Sequence, residues 1–315
     1  MAASPSEPDE PVAPPPDAAH QPPVGAGRDA RAMRRASRAA LITAACLVLG
    51  KAGAWLVTDS MSLLATLVDS LLDAAASGIT LLAIRQALTP ADRDHRFGHG
   101  KVEPMASLGQ AAFVAGSAVF VAIAAGQRFI DPRAVQQPEI GIAVMAASTA
   151  ATIALVAYQR AVVRRTGSLA IRGDSAHYLG DILANLAVIG GLAVTHLTGT
   201  RWLDPALAVL IAAYLLVVAV GIARDAVGML MDRELPETER RRIAELVHRH
   251  ARVLGMHDLR TRASGPQRFI QLHLELDGTI SLADAKAIAD AVHADIQAAY
   301  PDADVIIHQQ PQDTA

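Results

Sequence analysis

DSLLD at residues 69–73 and HYLGD at residues 177–181 place titratable side chains inside two apolar segments, each long enough to cross a membrane. The first and last residues of each stretch are four positions apart, which puts them on one face of a helix. If the two faces meet, three carboxylates and one imidazole surround a single point in the middle of a bilayer. That set is a complete group of ligands for a divalent transition-metal ion.

The four side chains are Asp69, Asp73, His177 and Asp181, and we predict that they bind a metal ion. A charged residue at mid-bilayer costs roughly 3 kcal/mol, and a bound dication offsets that cost for the three aspartates. The alternative is a set of interhelical hydrogen bonds, or a proton relay without metal. Oxygen-rich ligation with one imidazole suits Zn²⁺ and also Fe²⁺, Mn²⁺ or Cd²⁺. Asn185, one turn beyond Asp181, could support the site, but we favour a helix–helix contact.

The composition of the 315-residue chain is that of an integral membrane protein with some soluble mass. The chain is 52% hydrophobic and 3% aromatic, with a mean hydropathy of +0.28, which is too apolar for a soluble domain of this size. A net charge of −3, without basic runs interleaved with aromatic residues, argues against nucleic acid as a partner. The single cysteine, Cys46, lies in an apolar segment and is expected to be a buried thiol.

Six apolar segments of about 20 residues predict six transmembrane helices. They cover residues 39–58, 61–84, 104–127, 140–159, 176–198 and 205–223. Lys and Arg are concentrated before the first segment, between the second and third, and between the fourth and fifth. The positive-inside rule therefore predicts that both termini are cytoplasmic and that the lipid membrane surrounds the protein.

The chain divides by composition into a membrane part and a soluble part. The beginning is rich in proline and has no long apolar run, so we expect disorder there. After the sixth apolar segment, an amphipathic helix, two strands, a helix capped by Ser281 and a last strand give the order αββαβ. The predicted fold is an all-α six-helix transmembrane domain followed by a cytoplasmic α+β domain. The boundaries are a tail at 1–32, the membrane domain at 33–232, the cytoplasmic domain at 233–311 and a tail at 312–315.

Several motifs in order resemble the cation diffusion facilitator family, most closely its bacterial zinc and ferrous-iron efflux branch. They are DSLLD, HYLGD, DRDHRFGHGK at residues 92–101, GMHDLRTR at 255–262 and DVIIHQ at 304–309, and the likeness covers roughly residues 35–311. The resemblance implies a homodimeric metal/proton antiporter of the bacterial inner membrane that exports Zn²⁺ from the cytoplasm by alternating access, with Fe²⁺, Cd²⁺ and Mn²⁺ as the other candidate ions. It also implies that the cytoplasmic domain is ferredoxin-like.

The same resemblance implies a metal site in the loop between the second and third helices. Asp92, His95 and His99 match this site, although their spacing alone suits a solvated polar loop equally well. Lys101 in the loop and Asp232 after the sixth helix match a salt link between the two domains. Exposed ion pairs contribute little stability, so we expect a small effect from this one.

In the cytoplasmic domain the resemblance is incomplete. His257, His273 and His308 match histidines of a binuclear zinc site, but Lys286 and Gln310 replace the histidine and the aspartate that relatives have. An ammonium group has no lone pair for a metal, and an amide supplies no charge. We therefore predict that this domain binds at most one Zn²⁺ per protomer.

Two other functions remain open from the sequence. An intramembrane metallohydrolase would need a general base and an open metal position, but the chain has no His-Glu-x-x-His motif and all four intramembrane groups are used as ligands. A membrane metal sensor would bind metal in the cytoplasmic domain without carrying it across the bilayer. We expect a transporter rather than an enzyme, with metal ions and protons as its partners.

Overall fold

The computed structural model describes residues 27–58, 61–130, 139–198 and 203–312. Within these ranges the chain forms six long helices followed by two helices and three strands in the order αββαβ. This architecture confirms the predicted fold class. Most of the predicted tail at residues 1–32, and nearly all of that at 312–315, lies outside the described residues.

The membrane domain consists of helices α1 to α6. Their bounds are α1 Arg28–Thr58, α2 Met61–Ala87, α3 Val102–Ile130, α4 Glu139–Thr166, α5 Leu169–Thr198 and α6 Leu203–Leu230. Among the described residues, five of these helices are long and apolar enough to cross a membrane. The other helix is α5, which carries Arg172, Asp174 and Asp181 in its first half.

Helix α1 differs from the sequence prediction in two ways. It begins at Arg28, so the last residues of the predicted tail are helical, because Ala30 and Met33 are buried against α2, α4 and α5. Cys46 is exposed on the helix surface and is not the buried thiol that we predicted. The reason is that a membrane helix can direct an apolar side chain outward, toward lipid, as readily as toward other helices.

Helix α5 packs against α3, α4 and α6, and two glycines allow the close approach. A Cβ atom at Gly173 would lie 2.9 Å from Cβ of Gln110 on α3, and one at Gly180 would lie 3.2 Å from Cδ1 of Leu215 on α6. Small residues let helix backbones approach each other in this way. The contacts fix the position of the helix that carries His177 and Asp181.

The C-terminal domain packs two helices on one face of a three-stranded sheet. Its elements are α7 Glu237–His248, β1 Gly255–Ser264, β2 Gln267–Leu276, α8 Leu282–Ala299 and β3 Ala303–Pro311. Strand β2 is central, antiparallel to β1 and parallel to β3. Alternate residues of β2, such as Leu272 and Leu274, join Ile243, Val292 and Ile296 in the core. Ser281 caps α8, as predicted, by accepting the backbone N–H of Asp284.

Candidate metal centre

Three of the four side chains predicted for the membrane site lie together between α2 and α5. His177 Nε2 is 2.7 Å from Asp73 Oδ1 and 3.9 Å from Asp181 Oδ2, so one ring nitrogen faces two carboxylates. One ligand atom from each of these residues lies within 4.8 Å of the other two. We refer to Asp73, His177 and Asp181 as the membrane trio.

The membrane trio is largely shielded. Asp73 is 7% and His177 is 6% exposed, and the side chain of Asp181 is 34% exposed. The ring of Phe113 meets the His177 ring edge-on, with centroids 5.0 Å apart. A cavity of about 260 Å³ between α3, α5 and α6 reaches His177 and Asp181. Charges in such a place interact strongly, because little water screens them, while the cavity leaves room for an ion and a few water molecules.

Asp69 is not part of this close group, although it lies one helical turn before Asp73 on α2. Its side chain is exposed. The four-residue spacing fixes the face of the helix, but the side-chain torsion angles decide where a carboxylate lies. Its assignment as a fourth ligand therefore stays a prediction. Asn185 donates a hydrogen bond to Thr149 on α4 at 3.0 Å, which is the helix–helix contact that we favoured.

Sequence reasoning missed a buried polar network around Asp174, one turn before His177. This carboxylate is fully buried and accepts hydrogen bonds from Ser77 Oγ at 3.0 Å and Gln159 Nε2 at 2.6 Å. The Tyr178 hydroxyl lies 2.8 Å from Ser77 Oγ. The network joins α2, α4 and α5 beside the trio. An acidic residue in an apolar helix was the available signal.

Lys51 on α1 is a second residue that we missed. Its Nζ donates to Ser70 Oγ at 2.7 Å and to the backbone carbonyl of Thr66 at 3.2 Å, both on α2. A lysine within an apolar helix is costly, and this one is directed at the segment that carries the acidic residues.

The loop between α2 and α3 holds a second trio, Asp92, His95 and His99, which we call the loop trio. Asp92 Oδ1 is 3.2 Å from His95 Nδ1, and Asp92 Oδ2 is 3.2 Å from His99 Nε2. One ligand atom from each residue again lies within 4.8 Å of the others. Gly98, with φ of 76°, takes the left-handed conformation that returns the chain toward His99.

The backbone of this loop holds the Asp92 carboxylate in its charged form. The N–H groups of His95 and Asp94 donate to Oδ1 at 2.6 and 3.0 Å. The hydrogen bond from the backbone of His95 is the main cause that lowers the pKa of Asp92 below its ordinary value. His99 is 9% exposed, and its Nδ1 has no hydrogen-bond partner among the described residues.

The two domains meet at an ion-pair cluster that includes the predicted salt link. Lys101 Nζ is 3.0 Å from Asp232 Oδ1, and Arg262 donates to the same oxygen at 3.2 Å. Partial burial raises the pKa of Asp232, but the hydrogen bonds and charges of Lys101 and Arg262 outweigh this and leave it below its ordinary value. The Arg262 guanidinium also lies over the rings of Phe269, at 4.4 Å, and Phe97, at 5.3 Å.

His257, His273 and His308 form a row across the open face of the C-terminal sheet. His273 pairs with His257 on β1 and with His308 on β3. The ring centroids are 5.2 Å apart in the first pair and 4.9 Å in the second. Because neighbouring strands are about 4.8 Å apart, the outer histidines are about 10 Å from each other at the backbone. In the described structure the row does not form a trio like the two above.

A carboxylate that the sequence did not point to lies next to this row. Glu275 Oε1 is 2.7 Å from His257 Nδ1, and Glu275 pairs with Gln310 on the neighbouring strand. The negative charge that Gln310 does not supply is therefore present one strand away. Lys286 is bound to Asp290 on α8, with Nζ 2.9 Å from both carboxylate oxygens.

Two family descriptions match this chain. Residues 37–231 match the cation efflux transmembrane domain, and residues 235–312 match the cytoplasmic domain of cation efflux proteins. The junction between the two matched ranges falls just after α6, where the helical membrane domain gives way to the soluble sheet.

Curated relatives extend over nearly the whole chain. The cation-efflux pump FieF of Serratia proteamaculans is 44% identical over 282 residues, which is 90% of this chain and 94% of the relative. FieF of Pectobacterium atrosepticum is 45% identical over the same shares. A solved structure, the metal-bound C-terminal domain of the CzcD transporter from Thermotoga maritima, is 27% identical and covers 26% of this chain and 100% of its own, with a TM-score of 0.24.

Proposed function

The chain belongs to the cation diffusion facilitator family of cation efflux pumps, and from that premise we propose that it exports Zn²⁺ from the cytoplasm in exchange for protons. The family is one of multi-pass membrane transporters that move divalent metals. Within this family role, we propose the identity of the ion, its coupling to protons and the residues that bind it during transport. We also propose that both termini face the cytoplasm and that the domains divide near residue 232.

One observation carries the assignment of the transport site. His177 Nε2 faces Asp73 at 2.7 Å and Asp181 at 3.9 Å inside membrane helices, where unpaired charge is costly. We propose that Asp69 joins these three residues as a fourth ligand, since it shares a face of α2 with Asp73. Three carboxylates and an imidazole suit Zn²⁺, and Fe²⁺, Cd²⁺ and Mn²⁺ are the alternative substrates.

Proton exchange follows from the chemistry of the ligands. Each ligand must lose its proton before it binds the ion, so protons and metal compete for the same atoms. In the proposed cycle the site faces the cytoplasm when it binds metal and the opposite side when protons displace the metal. The helices change the access of the site between these two states.

The loop trio and the histidine row are proposed as accessory metal sites. The ligand atoms of Asp92, His95 and His99 already lie close together, which supports a site in the loop. We propose at most one Zn²⁺ at the histidine row of each protomer. Because the C-terminal domain matches the cytoplasmic domain of the family, we propose that two copies associate through it as a homodimer.

The decisive experiment uses sealed proteoliposomes with an imposed pH gradient. Uptake of Zn²⁺, Fe²⁺, Cd²⁺ and Mn²⁺ is compared with and without the gradient. We expect Zn²⁺ uptake that depends on an acidic lumen. Gradient-independent uptake contradicts the coupling, and faster uptake of another ion contradicts the assignment of Zn²⁺. Turnover of a substrate in detergent indicates a hydrolase, and metal binding without flux indicates a sensor.

A further inference from the structure

A second cavity, of about 420 Å³, lies between the beginning of α1 and the end of α4, and no proposed metal ligand lines it. Four arginines line it: Arg28, Arg31 and Arg35 from α1, and Arg165 from α4. The remaining lining is Ala32, Tyr158, Ala161 and Val162. The cavity thus combines several guanidinium groups and a phenol with an apolar wall.

These arginines are placed against the local preferences of a helix. Arg28 and Arg31 lie in the first turns of α1, where the helix dipole favours negative charge. Arg31 and Arg35 are four residues apart on one helix face, and like charges at that spacing repel. Three arginines at the beginning of one helix therefore destabilise it, unless an anion bound among them offsets their repulsion.

The nearby acidic side chain offsets only part of this charge. Asp29 Oδ1 accepts a hydrogen bond from Arg165 Nε at 2.7 Å, which links the beginning of α1 to the end of α4. Within the part of the chain that the structure describes, one carboxylate against four guanidinium groups leaves the cavity positively charged. The arginines are exposed, so a ligand can reach them.

The position of the cavity agrees with the level of lipid headgroups. The buried cluster beneath it joins the beginning of α1 to the ends of α2 and α4 and to the beginning of α5, through residues such as Met33, Ile84 and Ile171. The candidate membrane span of α1 begins at Arg28, and that of α4 ends at Thr166, the residue after Arg165. The cavity therefore lies where a membrane helix leaves the hydrocarbon, on the same side as the C-terminal domain.

We propose that this cavity binds the phosphate group of an anionic phospholipid from the surrounding leaflet. A guanidinium group donates two parallel hydrogen bonds to phosphate oxygens, and several such groups converge here from two helices. The Ala and Val side chains give the acyl chains an apolar surface beside the headgroup. A zwitterionic lipid fits less well, because its own amine neutralises its phosphate. Basic pockets between membrane helices bind anionic headgroups by this chemistry.

The test measures stabilisation of the full-length chain in detergent by added lipid. The probes are phosphatidylglycerol, phosphatidylcholine with the same acyl chains, and inorganic phosphate at equal concentration. We expect phosphatidylglycerol to raise the unfolding temperature while the other two leave it nearly unchanged. Native mass spectrometry should show the same lipid retained on the protein.

Variants assign the effect to the cavity. Arg31→Gln/Arg35→Gln should require at least about tenfold more phosphatidylglycerol for the same stabilisation. The matched control is Arg160→Gln/Arg164→Gln, which removes two exposed arginines of α4 that do not line the cavity and should behave like the wild type. If the first variant does not fold, Arg35→Gln alone and Arg31→Lys/Arg35→Lys give the same comparison, with a smaller loss.

Two results would overturn the proposal. One is an equal response of the cavity and control variants to phosphatidylglycerol, which would mean that the cavity arginines act only as nonspecific positive charge on the surface. The other is full stabilisation by inorganic phosphate or by phosphatidylcholine, which would show that the cavity does not select an anionic lipid.

Discussion

The membrane trio and the loop trio contain the same kinds of side chain, but the carboxylates of the two trios lie in different surroundings. The membrane trio has two carboxylates and one imidazole, of which Asp73 and His177 are almost fully buried. The loop trio has one carboxylate and two imidazoles, and the side chain of Asp92 is 51% exposed. Ligand identity alone therefore does not distinguish a transport site from an accessory one.

What distinguishes the two is how each carboxylate is stabilised. In the loop, backbone N–H groups and water hold Asp92 ionised whether or not a cation is present. In the membrane, water is largely excluded, and the charges of Asp73 and Asp181 must be offset by a metal ion, a proton or a neighbouring cation. We therefore propose that only the membrane trio must exchange one cation for another.

The largest expected difference concerns transport after loss of one carboxylate. Asp73→Asn or Asp181→Asn should reduce Zn²⁺ flux in proteoliposomes by at least about a hundredfold, because each substitution removes a proposed charged ligand. Even the loss of a residue that only hydrogen-bonds to a ligand lowers metal affinity or activity by about 10- to 100-fold. Asp92→Asn should reduce flux by less than about tenfold. Asp290→Asn, on the exposed surface of α8, is the control. Comparable losses in Asp73→Asn and Asp92→Asn would remove the distinction between the trios.

A second difference is expected in the response to pH. Zn²⁺ affinity of the membrane trio, measured in Asp92→Asn, should fall at least about tenfold from pH 7.5 to 5.5, because all its ligands must be deprotonated. Asp92 has a lowered pKa, so it stays ionised throughout this range. In the loop trio, measured in Asp73→Asn, protonation of the carboxylate should therefore contribute nothing to any loss of affinity over this range. Affinity of the membrane trio that is independent of pH would contradict proton exchange.

The histidine row provides a third comparison, with a smaller effect. Its outer histidines lie on strands that are not neighbours, and in the described structure the three ligand atoms are not gathered as they are in a trio. Replacing His273, the central member, with Ala should reduce the bound Zn²⁺ by at most one ion per protomer. Elemental analysis of the dialysed full-length protein measures this number. A loss of two ions would mean that a carboxylate completes a binuclear site, either Glu275 or Asp258, whose Oδ2 lies 3.9 Å from His273 Nε2.

The smallest effect is expected at the ion pair between the domains. Asp232 and Lys101 are both more than a third exposed, so solvent screening limits their contribution to less than about 1 kcal/mol. Since the folded state lowers the pKa of Asp232, this contribution is complete above the unfolded value of about 3.9 and is lost as the pH falls through the folded value. Thermal unfolding of Asp232→Asn should show a small decrease in unfolding temperature at pH 7 and a smaller decrease at pH 3. A large decrease at pH 7 would indicate that the pair holds the domains together.

The parts of the molecule that depend on local pattern could be predicted from the sequence. The length of the apolar segments predicted the membrane helices, and the alternation of apolar and polar residues predicted strand β2. The four-residue spacing predicted that His177 and Asp181 share one face of α5. The roles of Lys51 and Asp174 depend on partners 15 to 97 residues away, and no periodicity records those contacts. Glu275 was missed for the same reason, because its neighbour Gln310 is set by the strand register.

The most direct test follows one bound ion to the side where it is released. Proteoliposomes that contain the Asp92→Asn protein and an internal zinc indicator are first loaded with Zn²⁺ at the sites that are open to the outside of the vesicle. Unbound Zn²⁺ is then washed away, and the lumen is made acidic. We predict delivery of the bound Zn²⁺ into the lumen, and no delivery by the matched Asp73→Asn preparation, in which the loop trio is intact. Delivery by Asp73→Asn at the wild-type rate would contradict the claim that the membrane trio carries the transported ion.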